Sequence, residues 1–280
     1  MTHLSLCTGI GGIDLAAEWV GFKTIGQSEI DPYTCQILQK NFKGVKNYGD
    51  IRTITNKRLT LDGVKPEQIT MLSAGFPCQP YSLAGKGLGD GDKRDLWGEV
   101  ARIIGELEPR WFVGENVPGL LSRGNSKYFR RILADLAKMG YTISWGIWGA
   151  CDVEAPHKRK RLFIVARKIS DASSLGRLDM QSQINTTCTR INAQCNPLRL
   201  RSDVSDPCCK RETKEKSKLQ HNITVGRSRW QAEPNVGRVA NGIPDRMDRL
   251  RGLGNAVVPQ QIYPIFKAIA EIERGGTNEK

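Results

Sequence analysis

The sequence predicts an α/β fold built on a mainly parallel sheet, with a second, smaller domain set in before the C-terminal segment. Three observations point there. Short apolar runs alternate with amphipathic stretches over the first 167 residues, and a glycine turn follows the first run. From about residue 168 to 241 the apolar periodicity gives way to Ser, Asn, Gln, Thr, Lys and Arg. The expected division is residues 1–167 plus 242–280 as one domain and 168–241 as the other.

Each element has its own signal. Leu4–Cys7 reads as a short buried strand, Gly9–Gly12 as a turn, and Ile13–Val20 as the opening of a helix. A second strand spans Lys23–Ser28 and ends in Glu29 and Asp31, and a third is expected ahead of Asp50 and Ile51. Further strands are expected at Ile69–Leu72, Trp111–Val113 and Leu162–Val165. Helical periodicity marks Glu99–Glu108, Tyr128–Met139 and a closing helix at Gln260–Ile272.

Composition bounds the function. The chain has 280 residues, a formal net charge of +13 and a pI near 9.5, with Lys and Arg spread along its length. Such a balance favours a polyanionic partner such as nucleic acid. Its 8 cysteines occupy dissimilar contexts without paired CxxC spacing, which fits a reducing cytoplasm better than a disulfide scaffold. The N-terminal MTHLSLCTGIGG lacks a basic leader region and a cleavage site, so export is not expected. No run approaches the ~18 apolar residues of a membrane span, so no membrane partner is expected.

Five strings carry chemistry. A glycine turn after a first strand, with Glu29 placed to accept from ribose hydroxyls and Asp50–Ile51 to hold an adenine, makes an adenosine site from three strand ends. In GFPCQPYS, Gly75–Ser82, two prolines fix a loop that projects Cys78 at the carboxyl end of the sheet, as a nucleophile requires. GENVPGL, Gly114–Leu120, places Glu115 just beyond a strand, where a carboxyl group can protonate a ring nitrogen while a thiolate attacks the ring. In PHKRKRLFIV, Pro156–Val165, Arg159 and Arg161 are expected on one side of a strand start, facing a bound base and its phosphate. RGLGNAVVPQ, Arg251–Gln260, is a glycine-bounded turn placed to close a cofactor pocket through Asn255.

Taken together and in this order, the strings resemble the cytosine-C5 DNA methyltransferase family along nearly the whole chain outside residues 168–236. The resemblance implies a Rossmann-like S-adenosylmethionine-dependent methyltransferase sheet with a smaller target-recognition domain in the polar insert. It implies catalytic roles for Cys78, Glu115, Arg159 and Arg161. It also implies S-adenosylmethionine contacts from Cys7, Gly9, Gly11, Gly12, Glu29, Ile30, Asp50, Ile51, Pro77 and Asn255, with no metal. Double-stranded DNA is the implied partner of a monomer in a bacterial or phage-infected cytoplasm, with a restriction endonuclease as a further partner. The chain departs from the family at Cys7, where Phe is usual, and at Ile30, often aromatic. These changes remove contacts to a sulfonium ligand and weaken the expected cofactor affinity. His157 replaces Gln, and Tyr81 replaces Phe, without touching a chemical group.

The alternative is an RNA (tRNA) cytosine-5 methyltransferase of the same fold, against which the large polar insert argues, since reading duplex grooves needs its own surface. A binding-only relative has no need of Cys78, Glu115 and the arginines. A zinc module from Cys188, Cys195, Cys208, Cys209 and His221 has no common ligand spacing.

Overall fold

The computed structural model describes residues 1–77, 95–122, 126–169 and 244–275. Six strands form one sheet: β1 (Thr2–Leu6), β2 (Lys23–Ser28), β3 (Met71–Ala74), β4 (Trp111–Asn116), β5 (Tyr141–Trp148) and β6 (Arg161–Lys168). Their order is β2-β1-β3-β4-β6-β5. The first four run parallel, while β6 is antiparallel to both β4 and β5. The helices are α1 (Gly12–Trp19), α2 (Pro32–Asn41), α3 (Asn56–Leu61), α4 (Trp97–Leu107), α5 (Lys127–Lys138), α6 (Arg246–Asn255) and α7 (Pro259–Gly275).

The strands are apolar on both faces because both faces are covered. Leu4 and Leu6 of β1, Leu72 of β3 and Phe112 of β4 pack with Trp97, Ile103 and Ile104 of α4 and Ile132 and Leu136 of α5. The alternate residues, Met71, Trp111 and Val113, pack with Ile13, Ala16 and Ala17 of α1 and Ile265, Phe266 and Ile269 of α7. The period-two alternation of each strand therefore feeds two cores, and the sheet is the middle of three layers.

The expected elements form, with shifted ends. The strand read at Lys23–Ser28 is reproduced, and the closing helix extends to Pro259–Gly275. No strand precedes Asp50: a single parallel bridge, Gln27 to Asn47, stands in place of the expected third strand, and Asp50 instead caps a 3-10 turn, Ile51–Thr53. The edge strand β5 and the helices α2 and α3 carried no sequence expectation, whereas the glycine-bounded turn expected over Arg251–Gln260 is reduced to residues 256–258, because α6 runs through Asn255 and α7 starts at Pro259. Among the described residues no helix is long and apolar enough to cross a membrane. The smaller domain expected over 168–241 lies, beyond residue 169, outside the described residues, as do the cysteines and histidine of the zinc alternative.

Candidate active site

At the carboxyl ends of β1 to β4 the chain encloses a cavity of about 610 Å³, within the range that holds small-molecule ligands. Its wall is assembled from segments remote in sequence: Cys7, Gly9 and Gly12 after β1; Glu29–Asp31 after β2; Asp50 and Ile51; Pro77 after β3; Glu115 at the end of β4; Arg161 at the start of β6; and Arg251 and Asn255 of α6.

The first wall is a set of backbone turns organised by one carboxylate. Glu29 Oε2 accepts from the Gly9 amide at 2.8 Å, and Oε1 accepts from the amides of Ile30 and Asp31 at 2.8 and 2.9 Å. The acid thus ties the glycine turn to the end of β2. Asp50 accepts from the Arg52 amide at 2.9 Å, the capping role that a carboxylate takes at the start of a turn, and its ion pair with Arg52 spans 3.2 Å. Cys7 sits at φ 50° between these acids. Burial first, then Glu29 and Asp50, push its thiol up to about 12, so it stays neutral. Ile30 is 68% exposed, whereas Ile51 is built into the core.

The glycines divide. Gly9 has φ 59° with nothing within 4 Å of a Cβ placed there, leaving open space at the cavity. A Cβ on Gly12 would lie 2.3 Å from the Val257 carbonyl oxygen, so this glycine admits the close approach of the C-terminal segment. Gly11, expected at the cofactor, instead faces away: a Cβ there would lie 2.3 Å from Phe42 Cε2, and Gly11 lines a second cavity.

The opposite wall holds an ion pair. Arg161 Nε lies 2.8 Å from Glu115 Oε1, and the two side chains are 15% and 10% exposed. Glu115 belongs to β4 itself and not to a loop beyond it, because antiparallel pairing with Phe163 keeps it extended. Desolvation raises its pKa to about 7, against the opposing pull of Arg161 and Arg159. A Cβ on Gly75 would lie 3.6 Å from Glu115 Oε2, so the carboxyl group borders the segment leading to Cys78. Asn116 Nδ2 donates to the Phe76 carbonyl at 3.1 Å and so anchors that segment to β4. Cys78 lies outside the described residues; Pro77, the residue before it, lines the cavity.

Arg159 departs from its expected place. β6 begins only at Arg161, and Arg159 has φ 27°, so the two do not share a strand face. Its guanidinium donates to the carbonyl oxygens of Gly254, at 2.8 Å, and Ala256. Arg159 clamps the segment carrying Asn255, while its charge still reaches Glu115.

Two residues that sequence reasoning missed close the mouth. Asp31 caps α2 by accepting from the Thr34 amide at 3.0 Å and pairs with Arg251 of α6. The Thr34 amide first, and the Arg251 charge after it, hold the Asp31 carboxyl below its usual range. No local pattern announces a pair 220 positions apart.

Comparison with known proteins agrees with this geometry. The family model for C-5 cytosine-specific DNA methylase matches residues 1–249. The chain is 39% identical over 166 residues to the Type II methyltransferase M.NgoBI of Neisseria gonorrhoeae, covering 58% of this chain and 49% of that protein. It is 39% identical over 163 residues to M.HaeII of Haemophilus aegyptius, with the same coverage of 58% and 49%. The chain thus spans about half the length of these curated relatives. A DNA modification methyltransferase encoded within an E. coli prophage superposes with a TM-score of 0.52 at 26% identity, over 61% of this chain and 49% of that one. Spodoptera frugiperda DNMT2 shares the fold, with a TM-score of 0.51 at 22% identity over 64% and 53%. With its family match over residues 1–249, most of its length, the chain belongs to the C-5 cytosine-specific DNA methylase family.

Proposed function

We propose that the chain is a DNA (cytosine-5-)-methyltransferase that takes its methyl group from S-adenosylmethionine and acts through Cys78. The observation that carries the reading is one cavity in which the Gly9–Glu29 wall faces Pro77 and the Glu115–Arg161 pair. The first wall fits an adenosine: open space at Gly9, a carboxylate at the rim for ribose hydroxyls and the apolar Ile30 beside it. Gly9, Gly12, Glu29, Ile30, Asp50 and Asn255 would hold the cofactor, with Cys7 and Ile51 behind them. When bound, the cofactor supplies an electrophilic methyl group.

The remaining chemistry belongs to the chain. Cytosine C5 is a weak nucleophile, so the Cys78 thiolate first adds to C6, and negative charge develops toward N3. Glu115, with a pKa of about 7, is partly protonated near neutrality and donates to N3, leaving C5 with enamine character. Arg161 holds Glu115 in place and is positioned to hold the base O2, with Arg159 behind it fixing the Asn255 segment. After C5 takes the methyl group, a base removes the C5 proton, the C6–S bond breaks and N3 returns its proton to Glu115, releasing 5-methylcytosine and the free thiolate. The ring is inaccessible inside a duplex, so the nucleotide is flipped out at a cost of roughly a few kcal/mol.

The Type II naming of the relatives favours DNA over RNA and points to a restriction endonuclease as partner. A monomer acting in a bacterial or phage-infected cytoplasm, with residues 168–241 reading the target sequence, completes the proposal. Bisulfite sequencing of DNA from cells expressing the protein tests it: methylated cytosines in one sequence context are expected. DNA carrying 5-fluorocytosine in that context should form a denaturation-resistant adduct, because fluorine cannot leave as a proton does. Equal trapping by C78A sinks the nucleophile assignment.

A further inference from the structure

Beneath the cofactor wall lies a charged group that the proposed chemistry leaves unused. Asp14, in the first turn of α1, is fully buried. Its Oδ1 accepts from Gln27 Nε2 at 2.9 Å and its Oδ2 accepts from Ser5 Oγ at 3.0 Å. Ser5 and Gln27 are register partners on β1 and β2 and are themselves buried. One helix side chain therefore grips two paired strands. The charged side chain acting on it from its own helix is Glu18, which repels it. A buried carboxylate without a cation is costly, and an apolar side chain would fill the space more cheaply if packing were the sole requirement. What a carboxyl or carboxamide group offers, and an apolar one does not, is a hydrogen bond from each of its two end atoms, which fixes the orientation of both partners.

Those donors lead straight to the cavity. The Ser5 carbonyl accepts from Thr8 Oγ1 at 3.2 Å, at the entry to the glycine turn. Gln27 precedes Ser28, whose carbonyl accepts from the Thr8 amide at 3.0 Å, and Glu29, whose carboxylate receives the Gly9 amide. Gly12 and Ile13, just before Asp14, line the cavity.

We propose that Asp14 is a positioning residue for cofactor binding. By holding Ser5 and Gln27 together, it sets one spacing between the glycine turn and the Glu29 end of β2, so that both meet the adenosine half of the ligand at once. The inference rests on the cofactor reading above.

The test is calorimetric titration of S-adenosylmethionine and of S-adenosylhomocysteine onto the full chain at pH 7.5, for the parent, D14A, D14N and S5A. Thermal unfolding and duplex-DNA binding without cofactor are measured alongside. Two lost hydrogen bonds predict that D14A weakens both ligands by the same factor, about tenfold, and S5A by about threefold, with DNA binding within about twofold. D14N should stay within about threefold of the parent, because its Oδ1 still accepts from Gln27 and its Nδ2 can donate to Ser5 Oγ. A merely structural Asp14 lowers the unfolding temperature and leaves the affinity of the folded protein unchanged, which overturns the proposal. So does a loss confined to S-adenosylmethionine, which would assign the residue to attraction of the sulfonium charge. If D14A does not fold, parent-like affinity in S5A, or a loss in D14N of tenfold or more, overturns it equally. A parent that binds neither ligand sinks the cofactor reading and the inference with it; a binding parent matched by D14A sinks the inference alone.

Discussion

Replacing Glu115 by Gln should make the protein more stable at alkaline pH while removing its activity. Glu115 is 7% exposed, and its pKa is raised from 4.5 to about 7, chiefly by desolvation. The folded state therefore favours the protonated acid. The stability that this acid form contributes is fully present below pH 4.5 and is lost as pH rises through about 7. At about 1.4 kcal/mol per pH unit, the gap between those values amounts to about 3 kcal/mol. Gln has the shape of the protonated acid and does not titrate. Near pH 4.5 E115Q should match the parent, and by pH 8 it should exceed it by about 3 kcal/mol, with all other titrations cancelling in the difference. Urea unfolding at pH 4.5, 6, 7 and 8 measures this, with constant m-values as the check on two-state behaviour. At pH 7.5 kcat should fall by about two to four orders of magnitude, the range for losing a general acid. A stability difference that is flat with pH, or that turns against Gln as pH rises, would refute the reasoning. It would mean that the Arg161 pair outweighs desolvation and holds Glu115 ionised.

Three further outcomes are expected. Glu29→Ala should weaken S-adenosylmethionine binding by about tenfold or more, since three turn amides lose their acceptor, and should leave DNA binding nearly unchanged in a filter or anisotropy assay. Arg251→Ala should weaken the cofactor by at most about fivefold, because exposed ion pairs contribute about 1 kcal/mol or less. Titrations at low and high salt should show the parent approaching the variant as salt rises. Exchanging residues 168–236 for the matching segment of a relative with a different target should transfer the methylated sequence, read by bisulfite sequencing; an active hybrid that keeps the parental sites would place recognition in the sheet domain.

The sequence announced those parts of the site whose signal is local. The glycine turn, the acid after β2 and the Glu-Asn pair each occupy a few consecutive residues, and their order matches strand ends that the sheet then gathers; the proline-flanked cysteine, beyond Pro77, lies outside the described residues. What escaped depends on partners far along the chain. Arg159 was legible as a basic residue, yet its place is set by carbonyls 95 and 97 positions away. Gly11 was legible as a turn glycine, but the face it presents is decided by Phe42. The strand β5, Tyr141–Trp148, is interrupted by Gly146 and gains its definition from pairing with β6 along its whole length. Asp50 was expected after a third strand, and one bridge is all that forms there.

The contact between Gly12 and the Val257 carbonyl, together with the packing of α1 against α7, has a kinetic consequence. The turn that would hold the cofactor is synthesised well before Val257 and α7, which complete its far side about 245 residues later. Closing so long a loop carries an entropic cost that local helices and the β1–β2 pair do not face. The cavity should therefore mature last. A nascent chain carrying β1, β2 and the glycine turn would be folded in part and would lack the completed cavity until α7 docks.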